Sequence, residues 1–423
     1  MRIITIVPTL IVFMFGCSLH SVGEKRGRDV MLRDIPTTYS FIKYEENKLL
    51  FPGSRTDFDK FYGKLDTLLQ EGKGRVNIVH IGGSHVQAGF FDQQIRNDFA
   101  GLSDSVMAQR GLFFPFSILH TNEPYGYHMT YSGEWCSTRC VKSSGMDSMG
   151  LAGAAVTTSD KQAKLGLRII PSDSTRFSFD RLRILGYADS LSYPYAVVCG
   201  DTLRARREDT SFSYIIDYPV PCDSADVEFA ISEGGHFTLE GIVPESDRAG
   251  VIYYAAGVNG ADVAAWLRCA HLQANLNLIC PDLAVFGIGI NDANVPQKDF
   301  KPEVFKERYR KLIEKFKAAN PDCALLFITN NDCVLNIAGK HGNKQFNPNT
   351  SRVATAFKEL AKEYGGAVWD QYYIMGGAHS SALWKAKGLM RKDRIHFTSE
   401  GYRLLGDLLY NAIMADYLKM NGN

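Results

Sequence analysis

Four short stretches of this chain carry side chains suited to acting on an acyl group. Gly82-Gly83-Ser84-His85 sets a serine directly after an almost continuous apolar run made by Val76, Ile78, Val79 and Ile81. Gly257-Val258-Asn259-Gly260 and Gly289-Ile290-Asn291-Asp292 follow two further apolar runs, and Asp393-Arg394-Ile395-His396 precedes a closing amphipathic stretch. A serine hydroxyl needs a base to accept its proton. The base needs a carboxylate to fix its tautomer, and a developing oxyanion needs two or three N–H donors. Groups of each kind are present, and the glycines ahead of Ser84 let the main chain turn sharply and approach a ligand. Taken alone, Gly82–Ser84 reads equally well as an ordinary strand-to-helix turn with Ser84 as the N-cap. The three later stretches favour the nucleophile.

These residues need a scaffold that brings loops together, and the apolar periodicity supplies one. Asp57 to Gln70 places Phe58, Phe61, Tyr62, Leu65, Leu68 and Leu69 at helical spacing, with Thr56 as a cap, and leads through Glu71-Gly-Lys-Gly-Arg75 into the first strand. From Val251 the alternation of apolar strand-length runs and amphipathic segments resumes: VIYYAAG, LAVFGIG, ALLFIT and AVWD as strands, and Pro302–Ala319, residues 352–364 and Gly401–Met420 as helices. Counting the strand before Ser84, this predicts an α/β fold with a five-stranded parallel sheet between two helix layers, whose ligands gather at the carboxyl ends of the strands. Between the two parts the texture changes. Residues 105–160 are rich in Gly, Ser, Thr and aromatics, and 165–245 show short alternating runs such as Val227-Glu-Phe229-Ala-Ile231 and Phe237-Thr-Leu239. That pattern predicts an inserted β-sandwich of half-exposed antiparallel strands. The expected division is 1–17 leader, 18–54 tether and N-terminal packing, 55–104 first part of the α/β domain, 105–250 insert and 251–423 second part.

The chain has 423 residues, with 47 Lys+Arg against 46 Asp+Glu and a net charge of +1, which argues against a nucleic-acid partner held by bulk electrostatics. The N-terminus places one Arg before an apolar run from Ile3 to Phe15, too short to span a bilayer at about 20 residues. It reads as an export signal, and Met14-Phe15-Gly16-Cys17 resembles a loose lipobox in which Cys17 would carry lipid. Membrane attachment is expected through that anchor alone. Eight cysteines remain after Cys17, and Cys136 with Cys140 and Cys199 with Cys222 are the better disulfide candidates in an oxidising compartment. No C-x-x-C pair or His cluster points to a metal, and no organic cofactor is implied.

The four stretches, in this order and each after a strand, resemble the blocks of the SGNH hydrolase superfamily, also called GDSL esterases. The resemblance covers residues 55–100 and 250–420 and implies a three-layer, flavodoxin-like αβα fold. Carried over block by block, it implies Ser84 as nucleophile, His396 as base and Asp393 as the partner that orients it. The Ser84 and Gly260 N–H groups and the Asn291 amide would form the oxyanion hole. One position departs: the family usually has Asp before the nucleophile, and here Gly83 stands there. The insert and the run Met375–Tyr402 narrow the resemblance to a bacterial subgroup that includes O-acetylpeptidoglycan esterases with an inserted carbohydrate-binding-like β domain. This implies an exported esterase of the cell envelope, periplasmic, lipid-anchored or secreted, that removes O-acyl groups, acetyl foremost, from a carbohydrate, either peptidoglycan or a plant or host glycan, through an acyl-serine intermediate. An O-acyltransferase with the same triad and a glycan-binding protein on a decayed esterase fold are the alternatives.

Substrate contacts are sought in His85, Asn331, Asp332 and Trp384, with Tyr372 and Tyr373 as further stacking candidates. His80, on an apolar strand, reads as a satisfied core histidine, and Lys385–Arg394 as a solvated basic stretch able to attract an anionic glycan.

Overall fold

A computed structural model describes residues 31–103, 106–142, 148–170, 177–189, 191–208, 212–335 and 345–422. The apolar leader, Cys17 and the first part of the tether lie outside the described residues.

The main sheet is built from β1 (Leu49–Leu50), β2 (Arg75–Gly82), β3 (Met107–Arg110), β4 (Gly250–Gly257), β5 (Leu283–Gly287), β6 (Ala324–Ile328) and β7 (Ala367–Trp369). Its spatial order is β1-β7-β6-β5-β2-β4-β3. All neighbours run parallel except β1, which pairs antiparallel with β7. The five expected strands are there, but the sheet is mixed and seven-stranded. Two residues of β1 are too few to show a period, and β3 reads Met-Ala-Gln-Arg, whose polar side chains hide a buried strand. Gln109 and Arg110 are both buried, and Asp92 Oδ2 accepts from Arg110 Nη2 at 2.8 Å and Arg96 Nη1 at 2.5 Å. The charges are paired where they are buried, which offsets their desolvation. The host sheet thus continues past the expected boundary at 104, to Arg110.

Each face of the sheet has its own core. On one side Val76, Ile78, Tyr253, Val285, Leu326 and Trp369 meet α1 (Thr56–Glu71), α3 (Phe90–Ala100) and α6 (Ser399–Met420). On the other, Val79, Ile81, Tyr254, Phe286 and Phe327 meet α4 (Pro302–Ala319) and α5 (Thr350–Tyr364). α2 (Ser84–Gln87) is the single turn between β2 and α3. Alternate residues of one strand serve opposite faces, so strands buried on both sides must be apolar throughout, as read from the sequence.

Between β3 and β4 the chain forms two antiparallel sheets. One joins 201–204, 193–198, 224–230, 164–169 and 127–132; the other joins 206–208, 213–222, 179–188, 237–245, 154–158 and 136–139. Phe229 of the first and Phe237 of the second lie 5.0 Å apart between ring centroids. Their apolar residues are continuous with the α4/α5 face of the main sheet, Leu239 and Ile242 joining Tyr254 and Trp266 in one cluster. The two sheets therefore brace the α/β layer instead of hanging from it.

Neither candidate disulfide is formed among the described residues: all eight cysteines after Cys17 are free thiols. Cys136 and Cys140 lie four residues apart along extended chain, about 13 Å at ~3.3 Å per residue, beyond the reach of ~7 Å between bridged Cα atoms. Cys199 lies in the turn between the strands 193–198 and 201–204 of one sheet, and Cys222 ends the strand 213–222 of the other.

Candidate active site

The register of the sheet assembles the loops. Gly82 pairs with Gly257 on one side and with Gly287 on the other, so β2, β4 and β5 end level. Ser84, Gly260 and Asn291 follow these three glycines by two, three and four residues. Gly82 permits the turn: a Cβ there would lie 2.2 Å from the Val86 Cγ2 atom. Ser84 is the first residue of α2, and the N-cap is Gly83, with no side-chain cap bond. The hydroxyl of Ser84 is therefore not spent on the helix.

It meets His396 instead. Ser84 Oγ lies 2.8 Å from His396 Nε2, and His396 Nδ1 lies 2.8 Å from Asp393 Oδ2. The other carboxylate oxygen, Asp393 Oδ1, accepts the N–H groups of Ile395 at 2.9 Å and His396 at 3.0 Å. Burial raises the Asp393 carboxyl, but the bonds from the His396 ring and these two N–H groups outweigh it and hold the group below the ordinary range. The turn that carries the pair is pinned. Arg391 N donates to His396 O at 2.8 Å, and Thr398 caps α6 through Gly401 N at 3.2 Å.

Asn291 Nδ2 donates one hydrogen to Ala261 O at 2.8 Å, leaving the second for another acceptor. Gly260 has φ +83°, where a side chain is strained. Gly83 bears on the same amide: a Cβ at that position would lie 3.2 Å from Asn291 Nδ2, so glycine leaves this donor more room than the usual Asp would. If the amide faces the oxyanion, Asn291→Ala should lower kcat on p-nitrophenyl acetate by roughly 10², the lower end of what removing one such donor costs. A kcat within threefold of wild type would exclude Asn291 from that role.

These groups line one cleft of about 620 Å³, which holds Ser84, Gly260, Asn291 and His396 together with Tyr125 and Arg391. Other candidates fall outside it. His85 turns inward: Nδ1 lies 2.8 Å from the Tyr402 hydroxyl, and its ring is enclosed by those of His396, Phe397 and Tyr402. Burial, then the neighbouring His396, lowers its pKa to about 3, so it is neutral. Asn331 is buried and donates to Ile395 O at 3.2 Å, supporting the 393–396 turn from beneath. Asp332 is buried with Oδ2 accepting from Ser381 N, and Trp384 is fully buried with Nε1 donating to Met375 O at 2.9 Å. None of the four presents a free face to a substrate in the cleft. Tyr372 and Tyr373 also lie outside the cleft lining, Tyr373 under Lys43 Nζ at 3.4 Å. His80 is buried with Nδ1 2.9 Å from the Tyr253 hydroxyl, its pKa lowered to about 4 by burial.

Gln87 is a site residue the sequence did not single out. Its Oε1 accepts from Asn259 N at 2.6 Å and its Nε2 donates to Asn122 O at 2.8 Å, and Asn259 Nδ2 donates to Asn122 Oδ1 at 2.7 Å. One buried amide thus clamps the Gly260 loop to the loop that enters the additional sheets. Only tertiary structure joins positions 87, 122 and 259.

Asp292 shows what the adjacent position costs. It is buried with both oxygens near Val263 N, and burial, then the nearby Asp262, raises its pKa to about 7. An acid that ionises later in the folded state loses relative stability as pH rises from about 4, where the unfolded carboxyl ionises, to about 7. Asp292→Asn should therefore gain thermal stability relative to wild type on going from pH 5 to pH 8. A melting-temperature difference that does not change between those pH values would contradict the shift.

Residues 235–404 match the GDSL-like Lipase/Acylhydrolase family. That stretch is an SGNH/GDSL-type hydrolase domain. The matched stretch contains Gly260, Asn291, Asp393 and His396, while Ser84 lies upstream beyond the additional sheets and joins them only through the register of β2. Among solved structures, this hydrolase is similar to a peptidoglycan O-acetylesterase, with TM-score 0.70 and 19% identity over 88% of this chain and 99% of that one. That likeness establishes a shared fold that includes the additional sheets. It is also similar to an acetyl xylan esterase, with TM-score 0.31 and 20% identity over 38% and 81% of the two chains. A lipase/acylhydrolase from Enterococcus faecalis gives 0.29 and 20% over 40% and 77%. No curated protein matches. Through its acylhydrolase domain the protein is a carboxylic ester hydrolase.

Proposed function

We propose that this hydrolase is an exported serine esterase that removes O-acetyl groups from a carbohydrate of the bacterial cell envelope, peptidoglycan being the leading substrate. The carrying observation is the hydrogen-bonded series Ser84–His396–Asp393, which opens into a cleft of about 620 Å³, far more room than an acetyl group needs. The fold likeness to a peptidoglycan O-acetylesterase supports the substrate class. The two antiparallel sheets are read as an inserted, carbohydrate-binding-like β-sandwich, and Cys17 as the lipid anchor.

His396 Nε2 accepts the Ser84 proton as Oγ attacks the acyl carbon. The Ser84 and Gly260 N–H groups and the Asn291 amide receive the oxyanion, and Asp393 holds the imidazole in the tautomer with Nδ1–H. Collapse releases the sugar hydroxyl, protonated by His396, and water then cleaves the acyl-serine with His396 again as base. The test is acetate release from O-acetylated peptidoglycan, acetylated xylan and p-nitrophenyl acetate by the purified protein. Acetate from the first in preference to the second supports the reading. Turnover of the small ester alone contradicts a carbohydrate substrate, and accumulation of a newly acetylated sugar would indicate a transferase.

A further inference from the structure

The wall of the cleft carries two groups that the proton relay does not use. Tyr125 stacks on Phe90 with centroids 4.6 Å apart and planes 18° from parallel, while 42% of its surface remains exposed. It is held firmly, because Tyr125 N donates to Ala88 O at 3.1 Å, in the segment joining α2 and α3. The Arg403 guanidinium sits 5.5 and 5.7 Å from the two ring centroids. An aromatic ring fixed on one face and open on the other is a surface for the apolar face of a pyranose. The second group is Arg391, exposed on the same cleft and without an ion pair or side-chain hydrogen bond among the described residues. The carboxylate in the lining, Glu123, is already engaged by His128 Nδ1 at 2.9 Å and Met129 N at 3.3 Å. The unspent charge of the wall is positive.

We propose that the cleft is built for an acylated saccharide that is itself anionic: a pyranose ring lies on Tyr125, and a carboxylate of the same glycan pairs with Arg391. This rests on the carbohydrate-esterase reading and adds a charge requirement to it. Arg391 and Tyr125 act as specificity residues, with side chains outside the Ser84–His396–Asp393 relay.

The test uses the full-length protein and soluble O-acetylated peptidoglycan fragments, with their carboxylates either free or converted to amides, beside p-nitrophenyl acetate. For wild type, amidation should raise KM about tenfold, the equivalent of one lost charge-assisted contact of ~1.4 kcal/mol. Arg391→Gln should raise KM for the free form by a similar factor and erase the difference between the two forms. Tyr125→Ala should lower kcat/KM on both fragment forms at least about tenfold more than on p-nitrophenyl acetate, and Tyr125→Trp should restore it. An Arg391→Gln protein as sensitive to amidation as wild type overturns the anion contact. A Tyr125→Ala protein impaired in equal proportion on fragments and small ester overturns the stacking site. Wild type that turns over p-nitrophenyl acetate but neither fragment form removes the carbohydrate reading itself, before any variant is compared.

Discussion

Ser84→Ala and His396→Ala should each reduce esterase turnover by roughly 10⁴–10⁶-fold, and the double variant should be little worse than either alone. The expectation follows from a single hydrogen bond. Ser84 Oγ has His396 Nε2 2.8 Å away as its proton acceptor, so removing either partner disables the same proton transfer. Independent contributions would multiply. Steady-state rates of the two single variants and the double variant on p-nitrophenyl acetate decide it, and a double-variant loss equal to the product of the single losses would show that the two groups do not act as one unit.

Asp393→Asn should cost roughly 10³–10⁴ in kcat with KM little changed, because an amide in that place favours the wrong imidazole tautomer while leaving the cleft intact. The effect is set somewhat below that of the other two, since the Asp393 side chain keeps 43% of its exposure and water can partly replace it. Asp393 also ties down its own turn through the N–H groups of Ile395 and His396. Asparagine keeps one oxygen for those bonds, which makes it a cleaner probe than alanine. A loss below tenfold would remove Asp393 from the proton relay and leave it a purely structural acceptor.

The strands that position the site were legible because burial on both faces forces an unbroken apolar run, and β2, β4, β5, β6 and β7 each carry one. β3 was not, since its Gln109 and Arg110 are buried polar residues, and no local pattern records that Asp92 lies opposite Arg110. The same reason separates the site residues. Ser84, Asn291, Asp393 and His396 sit in short blocks directly after strands or before a helix, where local chain geometry nearly dictates their position. The substrate contacts were sought among polar and aromatic residues near those blocks, and Trp384, His85, Asn331 and Asp332 are turned inward instead to hold the loops that carry the site. Tyr125 and Gln87 offered no local signal. Tyr125 reaches the cleft because its loop is drawn onto Ala88 and Phe90, and Gln87 matters because β4 ends level with β2. Composition was also misleading for the cysteines, where an even count in loop-rich sequence pointed to pairs that the fold leaves as free thiols.

The central claim is that Ser84 becomes the acyl carrier. Rapid quenching of the protein during turnover of a slowly deacylating acetyl ester, followed by peptide mass analysis, tests it directly. The mass of one acetyl group should appear on the peptide containing Ser84, present in wild type, accumulating when deacylation is slowed, and absent from Ser84→Ala. An acetyl group on a different residue, or full turnover by Ser84→Ala in a preparation free of other hydrolases, would contradict it.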